Sequence, residues 1–232
     1  MEKSNEELKK IILGKVSGDA EESLRIYNKF FKDWQRNHKY IYCKFQINFN
    51  MKILDIGCSY GYNLIHFSED SVGIEAGLKQ VEFARQLGLN VLSINVEDDL
   101  SAIGQKFNLV WCTDFLVHMV SPYKFLYGCR NLLEKNGQMV IQVPLMSIFN
   151  MHRSVCHFYA FNKKSLSYLL EMAGYEIVKT SGFLRKKPKW FNSIFELLLQ
   201  RWGGNIWVLA QKKNELPTDF KRSFLPKWFK IS

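Results

Sequence analysis

Asp55, Gly57 and Gly61 stand in the run Asp55-Ile56-Gly57-Cys58-Ser59-Tyr60-Gly61-Tyr62-Asn63, directly after a short apolar stretch. Where a strand turns into a helix, glycine lets the backbone approach a ligand, and the helix N-terminus offers free N–H groups. A glycine-rich turn alone is equally a structural turn. Its context narrows the reading. Glu75 ends the next apolar run, Val72 to Ile74, where a carboxylate can accept both hydroxyls of a ribose. Asn95-Val96-Glu97-Asp98 ends the third run, where an adenine edge can be read. Three strand ends in order, each with suitable chemistry, point to an adenosine-containing ligand.

Such groups need elements to position them. Short apolar runs recur at Ile53 to Ile56, Val72 to Ile74, Val91 to Val96, Leu109 to Cys112 and Met139 to Val143. Helical patterns separate them: Tyr62 to Glu69, a stretch through Leu87, and Tyr123 to Leu133, closing at Asn136-Gly137. A further helix is expected over Ser165 to Met172 with Gly174 as its cap, then strands over Tyr175 to Thr180 and Ile206 to Leu209. Strands alternating with helices of this length predict an α/β fold, a parallel sheet with helices on both faces. Near the start, Asp19 and Glu22 have capping-box spacing, and Leu24, Tyr27, Phe31 and Trp34 share one face of a helix running to about Arg36.

Composition sets outer bounds. The 232 residues are 47% hydrophobic with only fourteen Gly and five Pro, which excludes collagen-like, low-complexity and broadly disordered chains. The formal charge of +10 is unevenly placed. Residues 1–150 hold seventeen basic and seventeen acidic side chains, whereas residues 151–232 hold fifteen and five. The last third therefore suits an anionic partner. Five cysteines without C-x-x-C or Cys/His spacing favour neither a metal site nor a disulfide framework. The charged N-terminus lacks a signal peptide's apolar core, and no apolar run approaches the roughly 18–20 residues a membrane span needs. The expected location is the cytoplasm.

The segments "ILDIGCSYGYNL", "VGIEA", "NVEDDL", "FNLVWCTDFLVHMVSP" and "LLEKNGQMVIQVP" resemble, in succession, motifs of the class I S-adenosylmethionine-dependent methyltransferases. The likeness covers roughly residues 50–180, and "HFYAFNKKSLSYLLEMAGYEIV" resembles the family's segment after the fifth strand. A nicotinamide-binding Rossmann protein would want G-x-G-x-x-G, which Gly57, Ser59 and Tyr62 do not supply. The resemblance implies a Rossmann-like, mostly parallel seven-stranded sheet with a reversed last strand. It implies S-adenosyl-L-methionine as cofactor and S-adenosyl-L-homocysteine as product. Gly57 and Gly61 would cradle the methionine part, Asp55 would orient the loop and the amino group, and Glu75 would hold the ribose. Val96 and Glu97 would read adenine, and Thr113 would line the sulfonium. Ser59 departs from the family, which commonly has glycine there.

Methyl transfer to oxygen needs alignment and a base. His118 follows the fourth strand, where resembling families often carry histidine, and is the candidate base; it is equally a structural histidine. Asp114 can position a ligand or cap a turn, and His152, His157 and Tyr159 lie past the fifth strand on the acceptor side, each as readily a pocket or surface residue as a catalyst. Ser121-Pro122-Tyr123 superficially resembles the signature of enzymes that methylate exocyclic amines of nucleic acid. It comes several residues late and begins with Ser, so a helix start with Pro in its first turn is the better reading.

Three divisions are expected: a helical lid or acceptor wall over residues 1–49, the cofactor-binding domain over 50–212 with a basic and aromatic insertion at 184–204, and a basic aromatic tail over 213–232. Trp190, Phe191, Ile194, Phe195, Leu198 and Trp202 form a helical apolar stripe behind Arg185, Lys186, Lys187 and Lys189. Basic residues beside aromatics suit a lipid headgroup interface or a phosphate backbone, and equally a packed helix with solvated lysines. The expected acceptor is a small molecule, glycan or lipid precursor, with peripheral membrane contact open and nucleic acid less favoured. An RNA or protein methyltransferase, or a non-catalytic cofactor-binding protein of this fold, are the alternatives.

Overall fold

A computed structural model describes residues 39–48, 50–98, 100–145, 157–183 and 204–214. The expected helix over 19–36, His152, the stripe at 185–202 and the tail at 220–232 lie outside the described residues. Seven strands form one sheet: β1 (Ile53–Ile56), β2 (Val72–Glu75), β3 (Val91–Ser93), β4 (Phe107–Thr113), β5 (Leu133–Pro144), β6 (Tyr175–Phe183) and β7 (Asn205–Lys212). Their order is β3-β2-β1-β4-β5-β7-β6. β1 to β5 pair in parallel, and β7 runs antiparallel between β5 and β6. The expected mostly parallel sheet with a reversed last strand is therefore what the chain forms.

Side-chain alternation splits the core into two layers. Leu54, Ile56, Val110 and Cys112 face the layer that receives α3 (Pro122–Leu132) and α4 (Lys163–Met172), through Phe125, Leu126, Leu166 and Leu170. Ile53, Leu109 and Trp111 face the opposite layer, covered by α1 (Lys39–Phe45) and α2 (Leu78–Gln86), through Tyr42, Val81 and Ala84. That second layer is aromatic: Tyr42 stacks on Trp111 with ring centroids 4.8 Å apart, and Phe67 and Trp207 close around them at 5.9 and 5.7 Å. Deleting such a buried indole costs about 3–5 kcal/mol. α1 thus belongs to the core through Ile41, Tyr42 and Phe45.

Three expectations need correction. The stretch Tyr62 to Glu69 forms no α-helix, only a 3-10 turn over Leu64–His66. Its apolar spacing suited a helix, but Phe67 is extended and β2 begins five residues later, which leaves no length for one. Asn136-Gly137 does not close α3, since the chain enters β5 directly at Leu133. The β4 register jumps from the Phe107–Leu133 pair to the Leu109–Gln138 pair, and Asn136, at φ 63°, turns the intervening residues. The third strand stops at Ser93, short of Val96. Elsewhere the expectations fall close: α4 starts with a reciprocal Asn162–Ser165 capping box, and Gly174, at φ 84°, follows its end. Pro122 opens α3 as expected.

Candidate active site

The carboxyl ends of the parallel strands collect the candidate residues into three groups. The first joins β1 to β2. Gly57 leaves β1 at φ 67° and Gly61 sits at φ 86°, both in the left-handed region where a side chain is strained. A Cβ on Gly57 would also run into the Phe115 ring. Between them Ser59 adopts φ 53°, so the position where the resembling family has glycine keeps a glycine-like backbone. That conformation aims its N–H at Glu75: Ser59 N donates to Oε2 at 3.0 Å, and Gly77 N donates to Oε1 at 2.8 Å. Cys58 N donates to the Ile74 carbonyl at 3.0 Å. One carboxylate thus straps the loop after β1 to the turn after β2.

Asp55 lies behind this strap at 1% exposure, paired across the sheet with Gly73 and Trp111. Burial pushes its carboxyl well above the usual range; Asn63 and the Leu64 N–H oppose the shift without closing a well-formed bond on either oxygen, and Glu75 adds to it. The titratable groups it acts on in turn, Tyr42, Cys58 and Cys112, are also acids, and burial raises each of them.

The second group follows β3. Val96 is buried, and Glu97 reaches across to the start of α3, where its Oε1 accepts the Val120 N–H at 2.6 Å and its carbonyl accepts Lys124 Nζ at 3.3 Å. An open groove of about 780 Å³ begins at these two residues and runs between the 3-10 turn Leu100–Ile103 and α3, past Phe125 and Asn131. It does not include Asp55, Gly57, Glu75 or His118.

The third group sits beyond β4 and β5. Thr113 ends β4 half-buried and pairs with Gln142. Asp114 follows at φ 53°, and His118 closes the 3-10 turn Leu116–His118. The His157 ring meets His118 edge-on, with centroids 4.9 Å apart. Sequence reasoning missed Gln142, although a lone amide inside the apolar run Met139 to Val143 is a visible signal. Among the described residues no group of three or more His, Cys, Asp or Glu gathers as a metal cage, and no helix is long and apolar enough to cross a membrane.

Comparison with known proteins gives this geometry a lineage. A family described as a methyltransferase domain matches residues 27–180. A ubiquinone biosynthesis O-methyltransferase of Cereibacter sphaeroides is 33% identical over 98 residues, which are 39% of this chain and 40% of that protein. The match thus spans about two fifths of that relative's length. Among solved structures, a SAM-dependent methyltransferase from Archaeoglobus fulgidus shares the fold at a TM-score of 0.61 and 20% identity, covering 82% of this chain and 99% of that one. An S-adenosylmethionine-dependent methyltransferase from Clostridium acetobutylicum does so at 0.59 and 13%, covering 84% and 99%. With well over half of its residues inside the family match and its mixed seven-stranded sheet bordered by helices, the chain belongs to the methyltransferase-domain family, with the class I S-adenosylmethionine-dependent fold.

Proposed function

We propose that this protein is an S-adenosylmethionine-dependent methyltransferase acting on a hydroxyl of a small molecule, glycan or lipid precursor. The observation that carries the reading is the Glu75 strap, which fixes a carboxylate and a positive-φ loop against each other at the ends of β1 and β2. The residues fit the cofactor. Gly57 and Gly61 hold positive-φ turns that a side chain would strain, and Phe115 and Leu89 already fill the space a Cβ would take, so the loop presents bare main chain toward the methionine portion. Each Glu75 oxygen keeps acceptor capacity beyond its one bond, enough for two ribose hydroxyls. In this reading the buried Asp55 carboxyl orients the loop and the amino group, Val96 and Glu97 read adenine, and Thr113 lines the sulfonium. When bound, the cofactor supplies a methyl group already activated for displacement. This chain's part is then to align the acceptor and remove its proton, for which His118 is the candidate base.

The name of the Cereibacter sphaeroides relative supports oxygen as the acceptor atom and a lipid-precursor acceptor. The basic last third supports an acceptor met at an anionic surface. Titration calorimetry with S-adenosylmethionine tests the core of the reading: binding is expected, and a wild-type protein that shows none overturns it. Flotation with anionic vesicles tests the surface. Retention that survives neutralising Arg185, Lys186, Lys187 and Lys189 would remove that part.

A further inference from the structure

Gln142 is out of place by composition. It sits mid-strand in β5 at 1% exposure, between apolar neighbours, where an unpaired amide costs several kcal/mol. Its partners across the sheet, Thr113 and Trp207, do not require it. Its Nε2 instead donates to Asp114 Oδ1 at 2.8 Å, while its main-chain carbonyl accepts the Asp114 N–H at 3.0 Å. Two bonds from one buried residue thus hold an exposed carboxylate in a left-handed conformation at the end of β4.

A second element is brought to the same place. The segment from His157 to Phe161 lies on the 3-10 turn that carries His118: Phe158 N donates to the Val117 carbonyl at 2.9 Å, and Tyr159 Oη donates to the Val120 carbonyl at 2.9 Å. These bonds seat His157 edge-on against His118. The charged and titratable groups that reach His157 are His118 from the turn and Asp114 from the end of β4, with Tyr159 beside it on its own segment. Desolvation and His118 lower its proton affinity, and Asp114 opposes them.

We propose that the acceptor hydroxyl's proton is taken by a paired base, His118 and His157, and that Asp114 and Gln142 are positioning residues for the pair. The proposal rests on the O-methyltransferase reading above. In the step, the acceptor oxygen forms a bond to the methyl carbon, the carbon–sulfur bond breaks with its electron pair remaining on sulfur, and the hydroxyl proton passes to an imidazole nitrogen. The imidazolium left behind faces the Asp114 carboxylate. Desolvation opposes a proton on His157 and the edge contact with His118 works in the same direction, so that ring gives up its proton more readily than a lone exposed histidine. The pairing keeps a base available.

The test uses the full chain, labelled with ¹⁵N-histidine and saturated with S-adenosylhomocysteine, and follows both rings by NMR through their titration. His118→Ala should raise the His157 midpoint, whereas Asp114→Asn and Gln142→Ala should lower it. A His157 midpoint indifferent to all three overturns the proposal. Adding 4-nitrocatechol, whose phenolate is coloured, reads the proton transfer itself. Phenolate should appear below its solution pH range in the wild type, and at least tenfold less of it in His118→Ala and His157→Ala. Equal phenolate in both variants, or none in the wild type, also overturns it. Failure of the underlying reading looks different: the cofactor fails to bind, while the ring titrations still report on the pair.

Discussion

The two ends of this site are built by different means. At the proposed cofactor end, main-chain N–H groups do the holding: those of Ser59 and Gly77 converge on the Glu75 carboxylate, and that of Cys58 is tied to β2. At the proposed acceptor end, side chains add the aim to main-chain bonds: Gln142 Nε2 fixes the Asp114 carboxylate, and two rings lean on each other. A main-chain device is inseparable from the fold around it. A side-chain device can be altered while the strands beneath it stay put.

The largest expected effect separates the two ends. Glu75→Ala strands two N–H donors as well as removing the proposed ribose acceptor, so both affinity and stability should fall. Calorimetry should show at least about a 100-fold weaker cofactor, and urea unfolding a loss on the order of 2–3 kcal/mol. A variant with weakened binding and unchanged stability would break the contrast. Gly57→Ala comes next. Its φ of 67° and the Phe115 ring both oppose a methyl group, so about 2 kcal/mol of stability should be lost, with a cofactor affinity lower by tenfold or more.

At the acceptor end the effects should part company. Gln142→Ala should cost about 1 kcal/mol through its lost side-chain bond and leave the S-adenosylmethionine affinity within about twofold of wild type. A large affinity loss there would mean that the two ends are not separable.

Asp55 gives the comparison a pH axis. Its folded-state pKa is raised by burial, so the folded protein holds this proton more tightly than the unfolded chain does. Its contribution to stability is full below the ordinary carboxylate range, near 4, and is lost as pH rises toward the raised value. Cofactor-free protein should therefore lose stability over that window, and Asp55→Asn should flatten the curve; identical curves for the two proteins would refute this. The smallest effect is expected at Ser59→Gly, which relieves a left-handed serine but frees the unfolded chain: a gain of about 0.5 kcal/mol by thermal melting, with the bond to Glu75 intact.

Much of the loop geometry at the proposed cofactor end was legible in the sequence because it is enforced by residue type. Only certain residues tolerate the backbone at 57 and 61, and a carboxylate at the end of β2 stands out at the close of an apolar run. The sheet was legible for a similar reason, since runs such as Met139 to Val143 must be buried on both faces. What escaped depended on distance along the chain. The meeting of His118 with His157, and the dependence of Asp114 on Gln142, join residues that no local pattern links. The short turn at Leu64–His66 escaped for another reason: apolar spacing signals which face is buried, not how many residues remain before the next strand.

The bare Gly57 and the Phe115 ring also set a rule for recombination. The first belongs to the loop that leaves β1, the second to the loop that leaves β4, and each occupies volume the other would need. Halves of this protein and of a relative can be exchanged between β3 and β4 only when the incoming ring and the resident residue at 57 are matched in size. A library that shuffles the two halves freely should return folded members in which these two positions have been inherited together.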